Sequence, residues 1–142
     1  TNRTDTPPAP DCNNYVIKGL NQRDVLNGNE GNDILIGGKG RDRLTGNGGN
    51  DIFQFDSANE LRDKITDFEV GRDRIDLSNI FTKAQYSLTT AQEIFDNYIN
   101  LRSRGNRIQV RVDLAGDRGT RFKMIANVEN VASLSRSDLI LT

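Results

Sequence analysis

Four aspartates stand nine residues apart, Asp24, Asp33, Asp42 and Asp51, each inside a short run of glycine, asparagine and charged residues. Carboxylates repeated at a fixed spacing repel one another when the chain stacks them, unless a cation lies between. The chain has no histidine and one cysteine, Cys12, so the donors on offer are carboxylate oxygens and backbone carbonyls. Oxygen donors alone select a hard divalent cation, and the irregular geometry of glycine loops suits the flexible six- to eightfold shell of calcium better than the octahedron of magnesium. The same absences exclude a Ser-His-Asp or Cys-His nucleophile, a histidine general base and a Cys/His zinc cluster. A lone cysteine cannot form an internal disulfide. No nucleophile–base pair is visible, and the expectation is that the chain is not an enzyme.

The elements that must carry these aspartates follow from the same period. Steps of nine from Gly19 give GLNQRDVLN (19–27), GNEGNDILI (28–36), GGKGRDRLT (37–45) and GNGGNDIFQ (46–54). Every row begins with Gly, has Asp sixth, and has Leu26, Leu35, Leu44 or Phe53 eighth. Six residues rich in Gly and Asn turn the backbone and expose carbonyls, and the last three form a short strand around one apolar residue. Stacked rows put the eighth side chains inside as a ladder, with strands alternating between two parallel sheets. Burying one Leu or Phe stabilises by about 1.5–3 kcal/mol, which cannot offset ordering nine residues at roughly 1 kcal/mol or more each. The cation must supply the difference.

Nine of the thirteen glycines fall between Gly19 and Gly49, so a boundary is expected near Phe55. Beyond it, KITDF and DRIDLSNIF, separated by Gly71, are strand-like. Thr90 and Glu93 match a capping box, and Ile94, Phe95, Tyr98 and Ile99 predict a helix that runs until Gly105 stops it. RIQVRVDL (107–114), the turn AGDRGT and RFKMIANV (121–128) predict a β-hairpin. The opening TNRTDTPPAPD has the composition of an extended spacer, and the chain is expected to be a C-terminal piece of something longer. The domain reading is a linker over 1–14, a cation-binding roll over 15–55 and a cap over 56–142, packed with the roll as one unit. On the roll, Ile34, Ile36 and Ile52 would point outward as an apolar patch, which the helix and hairpin are expected to cover.

The rows resemble the GGxGxDxUx repeats of the repeats-in-toxin (RTX) family, a signature of calcium-binding parallel β-rolls. Row 37–45 matches all five defined positions, rows 28–36 and 46–54 miss only the second glycine, and row 19–27 keeps three. Past the repeats, NDIFQFDSANELRDKITDFEVGRDRIDLSNI resembles the segment that follows them in serralysin-type proteases and alginate epimerase R-modules. The last thirty-odd residues resemble the C-terminal target region of type I secretion substrates. The fold implied is mostly all-β: a parallel β-roll solenoid followed by a β-rich cap with one helix.

In that family calcium lies between one turn and the next but one. Carried over by position, the resemblance implies one ion between Asp24 and Asp42, with the carbonyls of Leu20, Gln22, Gly37 and Lys39. A second lies between Asp33 and Asp51, with those of Asn29, Gly31, Gly46 and Gly48. A third site is offered by Gly38, Gly40 and Asp42 together with Asp63. Asp67, Asp73 and Asp76 are expected to be structural, and Asp113 with Asp117 is too sparse an acidic loop to form a site. The resemblance further implies a secreted, extracellular or cell-surface module that folds on external calcium. It would carry a type I secretion signal, its partners being upstream domains of the same polypeptide and the secretion machinery. The alternative is an accessory module whose Arg41, Arg43, Arg62, Arg72 and Arg74 hold an anionic polysaccharide. A net charge of −1 with scattered Lys and Arg argues against nucleic acid, and no apolar run is long enough for a membrane span.

Overall fold

The computed structural model describes residues 12–59, 62–82, 90–115 and 122–142, together with the backbone of 3–5. The last residues of each nonapeptide row form the strands β3 (Asp24–Asn27), β4 (Ile34–Ile36), β5 (Arg43–Thr45) and β6 (Ile52–Gln54). They alternate between two sheets as the chain coils. β3 pairs in parallel with β5, Leu26 opposite Leu44, and β4 with β6, Leu35 opposite Phe53. These four eighth-position side chains are all fully buried. A regular nine-residue step fixes this register, because a slip of one residue would turn the ladder outward.

The roll extends beyond the glycine-rich rows at both ends. β2 (Val16–Lys18) precedes β4 in its sheet and puts Ile17 opposite Leu35. The expected linker over 1–14 instead contains a strand, β1 (Arg3–Asp5), in register with β3. The expected boundary near Phe55 is not a seam. β7 (Asp63–Ile65) continues the sheet of β5 with Ile65 opposite Leu44, and β8 (Arg74–Asp76) continues that of β6 with Ile75 opposite Phe53. Glycine content drops at 55, yet the inward apolar residue is what a turn of the roll requires, and Ile65 and Ile75 supply it.

The helix α1 (Ala91–Tyr98) has the expected capping box, Glu93 N–H donating to Thr90 and the Glu93 carboxylate accepting from Thr90 N–H. It ends earlier than its apolar spacing predicted. Ile99 begins β9 (Ile99–Arg104), which pairs antiparallel with β10 (Arg107–Val112), so Gly105, at φ 65°, makes the tight hairpin turn rather than stopping a helix. β10 pairs in turn with β11 (Lys123–Glu129), the expected hairpin, whose AGDRGT turn lies mostly outside the described residues. β11 then runs parallel to β7, and β12 (Leu139–Ile140) parallel to β8. One sheet reads β1-β3-β5-β7-β11-β10-β9 and the other β12-β8-β6-β4-β2.

A single buried cluster holds Leu26, Leu35, Leu44 and Phe53 with Ile94, Ile108, Val110, Val112 and Ile125. The helix and hairpin therefore lengthen the inner core. They were expected to cover the outer isoleucines, but Ile34, Ile36 and Ile52 stand outside that cluster. Ile36 is nonetheless buried, its register neighbours on that face being Lys18 and Gln54, whose long side chains can lie across it.

Candidate metal centre

Stacking places the sixth residues of alternate rows above one another on the two edges of the roll. On one edge Asp24 N–H donates to Asp42 Oδ1 at 2.8 Å, and Asp42 N–H to Asp63 Oδ1 at 2.8 Å. On the other, Asp33 N–H donates to Asp51 Oδ1 at 2.9 Å, and Asp51 N–H to Asp73 Oδ1 at 3.0 Å. All six carboxylates are buried. Asp24 thus adjoins Asp42 on one edge, and Asp33 adjoins Asp51 on the other. Asp63, offered for a third site, joins the first edge.

The second oxygen of each carboxylate separates the rows. Asp24, Asp33 and Asp73 each accept, on Oδ2, the amide of the second residue in their own row, from Leu20 at 2.8 Å, Asn29 at 2.7 Å and Glu69 at 2.8 Å. Asp42 Oδ2 and Asp51 Oδ2 are buried and accept no hydrogen bond. Their rows place the second residue at positive φ, Gly38 at 85° and Asn47 at 70°. The Asn47 amide there turns to Asp67 Oδ2 at 2.7 Å.

The loop residues stack as closely as the aspartates. Lys39 N–H donates to the Leu20 carbonyl and Gly48 N–H to that of Asn29. A Cβ at Gly40 would lie 2.4 Å from the Gln22 carbonyl oxygen, one at Gly38 2.3 Å from that of Leu20, and one at Gly28 2.4 Å from that of Gly46. The Gly37 carbonyl faces Gly19, and the Gly31 carbonyl faces Gly49. All ten expected loop positions therefore fall at the turn-to-turn contacts of the two edges. At Gly37 a Cβ would meet Asp42 Oδ2 at 2.7 Å and Asp63 Oδ2 at 2.8 Å, so carboxylate oxygens from successive turns converge there.

Burial raises Asp42 to about 6, the nearby Asp24 charge adding to the rise while the Asp24 amide opposes it. Burial likewise raises Asp51 to about 7, with the Asp33 amide opposing and the Asp73, Asp33 and Asp67 charges adding. Asp73 is raised too, chiefly by burial. Buried like charges with oxygens that accept no hydrogen bond are what a bound cation would relieve, and every donor is oxygen, so the residues present fit calcium. Among the described residues no three acidic side chains converge as a compact cluster. Carboxylate pairs and loop carbonyls would have to share the coordination.

Sequence reasoning missed Asp73 and Asp67 as parts of the second edge. The signal was present in FEVGRDRID (68–76), which keeps Gly71 fourth, Asp73 sixth and Ile75 eighth, ten residues after the preceding turn rather than nine. Asp76 is structural as expected, accepting the Ser78 amide at 2.9 Å. Asp113 is fully buried, with Oδ1 accepting from Ala115 N–H and Oδ2 from no group, whereas Asp117 lies outside the described residues. The five arginines proposed for a polysaccharide do not share a face. Arg43 sits on β5 and Arg74 on β8, in opposite sheets, and Arg72 pairs with Glu69.

A two-sheet parallel roll with aspartates stacked along its edges is the architecture of RTX-type repeat modules. Residues 21–141 match the family described as peptidase M10 serralysin C terminal, and the chain belongs to that family. Its repeats are of the calcium-binding RTX type, and such domains come from secreted proteins. Two solution structures from the mannuronan C5-epimerase of Azotobacter vinelandii share the fold at 24% identity. The AlgE6R3 subunit aligns over 95% of this chain and 82% of its own with a TM-score of 0.58. For the AlgE6R2 subunit the shares are 92% and 94%, with a TM-score of 0.59. Comparison with curated protein sequences finds no match. Among the described residues no helix is long and apolar enough to cross a membrane.

Proposed function

We propose that this chain is a calcium-dependent folding module of a secreted polypeptide, without catalysis of its own. The observation that carries the reading is the pair of buried carboxylate oxygens, Asp42 Oδ2 and Asp51 Oδ2, that accept no hydrogen bond, one on each edge of the roll. Asp24 and Asp42 would hold one ion, and Asp33 and Asp51 a second. Asp42 and Asp63, whose second oxygens converge at Gly37, would hold a third. Loop carbonyls would complete each shell, and the ion would supply the charge neutralisation that the turns cannot supply themselves.

In a compartment with little free calcium the carboxylates repel and the glycine loops stay disordered, which suits passage through a type I secretion channel. Outside, calcium fills sites with affinities of about 10⁻⁴–10⁻³ M, typical of extracellular modules, and binding drives folding. The C-terminal region carries the export signal, and upstream domains of the same polypeptide are the cargo. Circular dichroism tests the core of this reading. Ordered β-structure is expected to be lost in EDTA and restored cooperatively by millimolar calcium but not by equal magnesium. A spectrum unchanged by the chelator would overturn it.

A further inference from the structure

The outer face of the antiparallel extension holds a hollow of about 400 Å³ at the junction of β9, β10 and β11. Among the described residues that line it, four are cationic, Arg62, Arg102, Arg111 and Lys123, and none is acidic. The ion pairs among the described residues are Lys18–Asp56, Lys64–Glu129 and Arg72–Glu69, so none of the four cations has a carboxylate partner there.

The strands aim these side chains. Ile108, Val110 and Val112 of β10 are buried in the core, so Gln109 and Arg111 point outward. Gln109 stands opposite Arg102 on β9. A register shift between Val110 and Arg111 sets Arg111 opposite Met124, the kind of local bulge that re-aims a side chain. Arg111 is then held from two sides, its guanidinium carbon 5.2 Å from the centre of the Phe122 ring and one nitrogen 3.4 Å from Asn100 Oδ1. Lys123 Nζ reaches Asn59 Oδ1 at 3.3 Å, and Arg62 enters from the turn before β7 with φ 69°.

We propose that this hollow binds an oxyanion, carboxylate or phosphate, carried on a small ring of monosaccharide size. Clustered cations without a counter-charge repel, and an oxyanion would relieve that repulsion while taking the paired N–H donors that arginine presents to carboxylate and phosphate alike. Met124 and the edge of Phe122 supply apolar surface for a ring face. A volume of 400 Å³ lies within the range of small-ligand sites. The hollow is outside the nonapeptide rows, and Arg62 is the residue among its described lining that adjoins a cation edge, through Asp63.

The test is a proton–nitrogen NMR titration of the calcium-loaded protein at low salt with glucuronate, glucose 6-phosphate, inorganic phosphate and glucose. Saturable shifts confined to the amides around Gln109, Arg111 and Met124 are expected with at least one anion and not with glucose. Saturation by glucuronate alone identifies a sugar carboxylate, saturation by glucose 6-phosphate at lower concentration than inorganic phosphate identifies a sugar phosphate, and equal saturation by those two would overturn the ring. Arg111→Gln and Arg102→Gln are each expected to weaken binding about fivefold or more, as loss of a charge-assisted contact should, with the far-UV spectrum unchanged. No saturation by any anion below about 10 mM, an affinity of a few kcal/mol at most, would overturn the proposal. So would equal shifts with glucose, binding unaffected by both substitutions, or equal shifts at Arg72 and Arg74 in the opposite sheet.

Discussion

Asp51 concentrates the electrostatic conflict of the second edge. An unfolded aspartate titrates near 4, whereas burial and like charges raise Asp51 to about 7 in the fold. Between those values the folded chain holds a proton that the unfolded chain has lost. The stability this confers is complete below about pH 4 and is lost as pH rises through about 7. In EDTA, such residual β-structure as circular dichroism detects should therefore diminish between pH 5 and 8, and Asp51→Asn should flatten that dependence. With calcium the sign reverses, because cation and proton compete: the calcium midpoint should rise as pH is lowered from 8 to 6. Asp73→Asn should raise the calcium requirement for folding as Asp51→Asn does, with Asp76→Asn leaving it unchanged, both read from calcium titrations by circular dichroism. Asp113, fully buried and bonded to the Ala115 amide, belongs to the hairpin end. Asp113→Ala should lower stability by about 1–2 kcal/mol in saturating calcium without altering the number of ions bound, measured by denaturation and native mass spectrometry. The period pointed to Asp24, Asp33, Asp42 and Asp51 as members of a repeat. It did not point to Asp63 and Asp73, because insertions of three residues and one residue break the count of nine while leaving the stacking intact.

For the strand-and-turn element, the decisive contact is between a turn and the next but one. Gly28→Ala would put a Cβ 2.4 Å from the Gly46 carbonyl oxygen and 2.5 Å from Asp33 Oδ2, which forces the two turns apart. Gly71 at φ 86° has nothing within 4 Å of such a Cβ. Gly71→Ala should therefore cost only about 1 kcal/mol of backbone strain, and Gly28→Ala should cost more and also raise the calcium midpoint. Thermal and calcium titrations of the two variants check this. Leu44→Ala, deep in the ladder, should cost about 2–5 kcal/mol. The strands of the rows were legible because one apolar residue per nine leaves a single way in. The end of the helix was not, because Ile94, Phe95, Tyr98 and Ile99 satisfy a helical period while Ile99 and Leu101 also satisfy an alternating one. Pairing with β10 settled it, since Ile99 lies opposite Val112 and Leu101 opposite Val110.

Over the whole molecule, one apolar cluster runs from Ile17 in β2 to Leu141 at the C-terminal end, passing through the ladder, the helix and the hairpin. Calcium bound at the edges should therefore govern the order of the hairpin, which holds none of the repeat loops. In hydrogen exchange, the amides of Val110 and Val128 should lose protection in EDTA together with that of Leu35, at matched free-energy cost. Protection surviving at Val110 while Leu35 exchanges would mean that the antiparallel end folds independently of the roll.

Spacing and residue type by themselves determined the solenoid, the inward file of Leu26, Leu35, Leu44 and Phe53, the oxygen-only donor set and the hairpin. Each of these follows from local periodicity, which acts within nine residues and needs no partner from afar. Tertiary structure alone decided that β1, β7, β8, β11 and β12 extend the two sheets, that Asp67 and Asp73 belong to the second edge, and that the helix and hairpin join the inner core. Those outcomes depend on strands that fall outside the regular count of nine, with neighbours twenty-one or more residues away. Backbone hydrogen bonds and buried apolar area select such neighbours from the three-dimensional stack, where a loop of any length can close between two turns of the same coil.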